Sequence, residues 1–371
     1  LNLLSQMQKN HPTTDDGLPV YGFSLYNADN ALYPVTMYMR CFGTQGYNEW
    51  IDTRVDDNSF CYAYTEEDSP FWKSLDFFRK AYNLGLLDPD SFTQKSEDEY
   101  AKAANGQVLA PMWRNHIQTI QAEWLAEDPE NPRGYAILPM EGTYIVENKN
   151  AVVGGAFSAS IAKTCKNPER VMQFLNYIYS PEGARTIFSG VKGEHWDVID
   201  GVAQPLDSAI QMKKESGDAW TKSGISNAAL YGMVGMARGV LLDDGAPTDL
   251  YRSEGYFVKD LDAIDKDFCS YYGDYAYPNQ VLLDKGTKDF ANLDMRIASG
   301  YGTAPEDIQR IDTKLLDMAL KAIPTLIMAG DDDSFAKLKA DTIQSFTKAG
   351  ADQSKEWWEG RHDELLKKYK K

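Results

Sequence analysis

The chain has 371 residues, 43% of them hydrophobic, which suffices for one large or two medium cores, and its length favours two domains. A formal charge of -17 argues against nucleic acid or an anionic membrane surface as a partner, since both are polyanions. Cys41, Cys61, Cys165 and Cys269 are far apart, with no C-x-x-C and no neighbouring His run, so neither a zinc site nor a redox pair is indicated and no cofactor is implied.

Residues 1–10 read as the end of a helix and His11 to Gly17 as a turn-rich loop, in which Asp15 and Asp16 supply too few alternating oxygens for a calcium site. Val20 to Tyr26 alternates as a strand. Asn27 to Asn30 then opens a helix on which Leu32, Val35, Tyr38 and Met39 share a face. Ser69-Pro70 starts an amphipathic helix carrying Phe71, Leu75, Phe78 and Tyr82, with Gly85 in the left-handed position past its end. Asp88, Asp90 and Glu97 read as turn and cap residues, because Pro89 and the spacing do not suit calcium, and a short helix follows to Ala104.

After the turn Asn105-Gly106-Gln107, Val108 to Met112 reads as a strand whose carboxyl end carries Trp113, Arg114 and Asn115. A stacking ring, a planar donor fork and an amide are the groups that hold a sugar face and its vicinal hydroxyls, although a core-capping ring with a local ion pair fits the same residues. Residues 127–133 form a polar connector, Tyr135 to Pro139 a short strand, and Ala151 to Ala162 a small-residue strand. Gly154-Gly155 within the last is no phosphate loop, because no G-K-[ST] or helix start follows.

The run from Asn167 to Gly201 is the most informative. Asn167-Pro168-Glu169 starts a helix with Val171, Phe174, Leu175 and Ile178 on one face, and Ser180-Pro181-Glu182 starts a second. Gly190, Gly193, Glu194, His195 and Trp196 then form a sharp turn that projects a ring. From 205 to 310 the pattern weakens, with helical hints from Asn227 to Val240 and a Tyr cluster at Tyr271, Tyr272, Tyr275 and Tyr277. Asp331 to Asp333 begin an acidic helix start, Gly350 stops that helix, and Glu356 to Tyr369 forms the last one, with Trp357, Leu365 and Tyr369 near helical periodicity.

The pieces Asn167-Pro168-Glu169, Tyr179-Ser180-Pro181-Glu182-Gly183, Gly193-Glu194-His195-Trp196 and Asp200-Gly201, with the connector Gly85 to Phe92, resemble extracellular solute-binding proteins of ABC sugar importers. The likeness is to the large lipoprotein group of Gram-positive bacteria. The resemblance implies a two-lobed, type II periplasmic-binding-protein-like α/β fold. One lobe would hold 1–138 and most of 211–371, the other would include 139–210, and a hinge would fall near Leu138 to Gly142. It also implies that a secretion signal, a lipid-bearing Cys and the first part of one lobe precede Leu1, so the chain reads as a fragment. Asn30 to Tyr33 would face the cleft.

The expected ligand contacts are therefore Trp113, Arg114, Asn115, Trp196, His195, Glu194, Asn30 and Tyr33, with no metal and no catalytic residue. The expected function is capture of a carbohydrate, an oligosaccharide by preference, by a monomer outside the cell and its delivery to permease subunits. A glycoside hydrolase is the enzymatic alternative, but it needs two carboxyls flanking the scissile bond, and no acid here has a recognisable catalytic context. A sugar-sensing module for a membrane receptor is the other alternative.

Overall fold

A computed structural model of the chain describes residues 1–48, 50–112, 114–140, 142–144, 159–215, 217–225, 235–285 and 293–369, apart from the side chains of 114–116. The chain divides into two compact units, Leu1–Val152 with Leu282–Lys371, and Val153–Val281. Residues 211–281, grouped by the sequence reading with 1–138, thus lie with the segment before them. The packing explains this: Ile210, Ile225, Tyr251 and Tyr256 form one small core, and buried Arg185 reaches Asp244 with both terminal nitrogens.

The first unit opens with α1 (Asn2–Asn10), α2 (Asn27–Asn30) and α3 (Leu32–Cys41). A three-stranded antiparallel meander follows, β1 (Thr44–Gly46), β2 (Ile51–Arg54) and β3 (Phe60–Tyr62), in the order β1-β2-β3. Its register pairs Gln45 with Thr53 and Asp52 with Cys61. Next come α4 (Pro70–Asn83), α5 (Ser96–Ala104) and α6 (Arg114–Glu127). The strand expected over 20–26 is an extended segment with two parallel rungs, Tyr21 to Val108 and Phe23 to Leu87, and the strand expected over 108–112 pairs with it through the N–H groups of Leu109 and Ala110, which donate to the Tyr21 and Gly22 carbonyls, both at 2.9 Å. Residues 135–139 have no regular structure, and most of the strand expected over 151–162 lies outside the described residues.

In the second unit α7 (Pro168–Ile178) and α8 (Pro181–Ser189) start at the expected prolines, and the Ser180 hydroxyl caps α8 by accepting from the Gly183 N–H at 3.0 Å. The face expected to be buried on α7 is not: Ile178 is buried, whereas Phe174 is 47% exposed. Asp200 and Gly201, with φ of 53° and 83°, form the two-residue turn of a hairpin between β4 (Trp196–Ile199) and β5 (Val202–Pro205). Short helices follow, α9 (Asp207–Glu215), α10 (Asp218–Ser223), α11 (Glu254–Lys259) and α12 (Ala263–Tyr272), and α13 (Pro278–Asp284) leads the chain back. Residues 226–234 of the helical hint at 227–240 lie outside the described residues, and 235–240 are turns and bends.

The returning segment contains α14 (Met295–Ala298) and three long helices, α15 (Glu306–Ile327), α16 (Asp332–Lys348) and α17 (Ala351–Tyr369). The main core lies here, where Val35, Leu75, Phe78, Leu315, Ile323, Phe346 and Trp358 close against one another. Phe346 stacks on Tyr64 with centroids 4.9 Å apart, and the buried Asp312 carboxylate accepts from Ser354 Oγ at 2.5 Å and Trp358 Nε1 at 3.0 Å. These bonds hold α17 on α15 and so fix what lies above them. No helix among the described residues is long and apolar enough to cross a membrane.

Candidate functional site

Helix α3 is two-faced. Leu32, Val35 and Met39 are buried in the core, while Tyr33, Thr36, Met37 and Arg40 fall at the 3, 4 and 7 spacing of the other face. Asn30 aims that face by capping the helix, since its Oδ1 accepts from the N–H groups of Leu32 and Tyr33, both at 3.0 Å. Across from it the turn between β1 and β2 is held by Asn48, whose Oδ1 accepts from Trp50 N–H at 3.1 Å and Ile51 N–H at 2.8 Å. Together they enclose a cavity of about 220 Å³ lined by Tyr33, Thr36, Arg40, Tyr47, Asn48 and Asp52. That is smaller than the roughly 300–1,000 Å³ of pockets for drug-sized ligands, so the cavity admits one ring-sized group.

Asp52 is the buried acid of this cavity, beside the Arg40 guanidinium. It is only 2% exposed, and its Oδ2 has no hydrogen-bond partner among the described residues. Burial pushes the carboxyl up to about 7, against the pull of the Arg40 guanidinium, the Thr44 hydroxyl and Arg54. A buried acceptor with an oxygen left over is unfavourable by itself. Beside it stand a guanidinium fork, tyrosine rings and a hydroxyl, a set suited to a compact ligand rich in hydroxyls.

The turn at Glu194 to Trp196 is built differently. His195 is buried, and its Nδ1 accepts from the Val191 N–H at 3.1 Å. Trp196 is half-buried and donates from Nε1 to the Gly190 carbonyl at 2.9 Å, with the Arg185 guanidinium 5.0 Å from its ring centroid and Lys192 Nζ at 5.8 Å. Arg185 is in turn held by Asp244 at 3.1 and 3.2 Å. Of the three, only Glu194 is exposed.

The remaining expected contacts fall elsewhere. Trp113 lies outside the described residues, as do the side chains of Arg114 and Asn115, whose backbone forms the first turn of α6 rather than a strand end. The structure therefore brings Tyr33 into the cavity with Asn30 capping its helix, and adds Thr36, Arg40, Tyr47, Asn48 and Asp52. Sequence reasoning missed these five. Their signals were the helical spacing of 33, 36 and 40 and the alternation of Ile51, Thr53 and Val55 before Asp56-Asp57-Asn58. Among the described residues no group of His, Cys, Asp and Glu is placed to hold a metal ion.

No family model matches the chain, and no curated protein is similar to it in sequence. Its fold is similar to that of an HMO binding ABC-transporter associated solute binding protein from Bifidobacterium longum infantis. The TM-score is 0.54 at 11% identity, covering 98% of this chain and 69% of that one. The N-glycan transport solute binding protein NgtS from Streptococcus pneumoniae gives 0.48 at 14% identity, over 100% of this chain and 67% of that one. The alginate-binding protein AlgQ2 without calcium ion gives 0.49 at 15% identity, over 98% and 68%. The first of these likenesses gives the class: the chain has the two-lobed α/β fold of solute-binding proteins.

Proposed function

We propose that this chain is the substrate-capturing component of an ABC importer, and that it binds a carbohydrate in the cavity between α3 and the β1–β2 turn. The fold likeness to a solute binding protein over 98% of the chain carries this reading. The lining of Asp52, Arg40, Tyr33 and Thr36 supports it, because a carboxyl, a guanidinium, a ring and a hydroxyl around one ring-sized space match a ligand rich in hydroxyls. The protein binds without a chemical step and passes its ligand to permease subunits. It works outside the cytoplasm as a lipid-anchored monomer of a Gram-positive cell. Trp113, Arg114 and Asn115 contribute further contacts.

The test is a thermal-shift screen of the full chain against mono- and oligosaccharides and a few peptides. A ligand at 100 times its dissociation constant stabilises by about 2.7 kcal/mol. A shift with intact glycan recovered supports capture, and its loss in Asp52→Asn or Tyr33→Ala places the ligand in this cavity. Cleaved glycan would favour the hydrolase, and shifts with peptides alone would overturn the carbohydrate assignment.

A further inference from the structure

A second concavity lies on the same unit, a groove of about 510 Å³ over the side of α17. Its lining includes Glu356, Trp357, Gly360, Arg361 and Glu364 from the helix and Gly302 from the loop facing it. Gly360 is an exposed glycine in the interior of α17, where a Cβ would meet nothing within 4 Å. Glycine is the poorest helix former after proline, so alanine would fit here and hold the helix better. Neither packing nor helix formation accounts for the residue; what its missing side chain does is leave the groove open.

The groove has the chemistry of a sugar subsite. Trp357 is half-buried and edge-on to Trp358 at 4.6 Å. Arg361 is steadied from behind, its Nε donating to the Tyr301 carbonyl at 2.8 Å and its Nη1 to Glu364 at 2.6 Å. Among the described residues Glu356 has no ion-pair partner. Two carboxylates against one guanidinium disfavour an acidic sugar and suit hydroxyls.

Tyr47 joins this groove to the cavity beside Tyr33. It lines that cavity, while its hydroxyl donates at 2.6 Å to the carbonyl of Gly302, a residue of the groove. Its ring lies 5.1 Å from Tyr301, which lines the groove, and 5.7 Å from Trp358, so it is fixed between the two concavities. Building on the sugar-capture reading, we propose that the α17 groove is a second saccharide subsite, filled by another uncharged unit of the oligosaccharide whose neighbouring part occupies the cavity beside Tyr33. The ligand is then an oligomer, and chain length is selected by the groove.

The experiment is calorimetric titration of the full chain and of Gly360→Leu with neutral cello-, malto-, xylo- and N-acetylglucosamine ladders, from monosaccharide to hexasaccharide. Leucine fills the groove from an open position, so the variant should melt at or above the wild-type temperature. Wild-type affinity should rise with chain length. In Gly360→Leu the shortest sugars should bind as in wild type while longer ones lose about tenfold or more. Equal affinities of the two proteins at every length would overturn the second subsite and leave sugar capture standing. Failure of the wild-type chain to bind any ladder would overturn both.

Discussion

The turn around Trp196 and the cavity beside Tyr33 both gather rings and charges, and they differ in what is left over. In the turn, His195 Nδ1, Trp196 Nε1 and the terminal nitrogens of Arg185 have partners within the second unit, while the buried Arg185 Nε has none among the described residues. In the cavity the Asp52 Oδ2 is buried and has none among the described residues. Each region thus keeps one buried polar atom without a partner, a donor in the turn and an acceptor in the cavity, and they differ in setting: the other polar groups of the turn bond one another, whereas Asp52 lies beside a cavity lined by Tyr33, Thr36 and Arg40. What separates the two is therefore room for a ligand: a cavity of about 220 Å³ lies beside Asp52, and the rings and charges of the turn are spent on one another.

Four experiments test this contrast. The largest effect belongs to Gly190→Ala. Gly190 has φ of 81°, and a Cβ there would lie 2.6 Å from Ile225 Cδ1 and 2.7 Å from His195 Cγ. Left-handed strain and overpacking together should cost about 2–4 kcal/mol, read as a lower unfolding temperature by calorimetry. An unchanged temperature would mean that the turn is not the rigid element described.

Asp52→Asn should alter the pH dependence of stability. With its folded value near 7, well above that of an unfolded aspartate, the carboxyl binds more protons in the native state between about pH 4 and pH 7. Its contribution is thus fully present below that window and is lost as pH rises through it, with a slope of up to about 1.4 kcal/mol per pH unit. Glu99, pushed up to about 7 by burial, and Asp265, pushed up to about 6, act with the same sign, so the difference between wild type and variant isolates Asp52. Urea unfolding at pH 5 and pH 8 should show the variant gaining relative to wild type at the higher pH. The same gain at both would remove Asp52 from the account.

Tyr33→Ala removes a half-buried ring from the cavity, and Asn30 goes on capping α3 through the backbone N–H of position 33. Sugar affinity should fall about tenfold with a small change in melting temperature. Loss of stability without loss of affinity would make this ring structural. Glu194→Gln is the smallest change, within about 0.5 kcal/mol in stability and without effect on sugar affinity, because Glu194 is exposed on a turn held by its neighbours. A marked loss of affinity in this variant would return the turn to the binding site.

Much of the local architecture was legible. Pro168, Ser180-Pro181, Ser69-Pro70 and Asp331 mark helix starts that the structure shows, and Asp331 Oδ1 accepts from the Ser334 N–H at 2.7 Å. Other elements were not. The 22-residue helix α15, which contains Pro324, falls in the stretch before Asp331 where no helix was marked, and the meander of β1 to β3 is too short and too rich in polar residues to stand out. Both are held by distant partners: α15 by Ser354 and Trp358 of α17, and β2 by Tyr301, whose hydroxyl lies 3.3 Å from Thr53 Oγ1.

Helix starts and stops were legible in the chain because caps, prolines and apolar spacing act within a turn or two of themselves, and the two-lobed α/β fold was implied by the resemblance of the pieces from Asn167 to Gly201 to solute-binding proteins. Only the tertiary structure decided which polar groups would be left unpaired and where. Asp52 lines the cavity because β2 pairs with β1, the strand packed on α3, and Tyr47 is fixed because its hydroxyl meets a carbonyl 255 residues further along the chain. Burial and pairing are set by such distant neighbours, and no local pattern carries them.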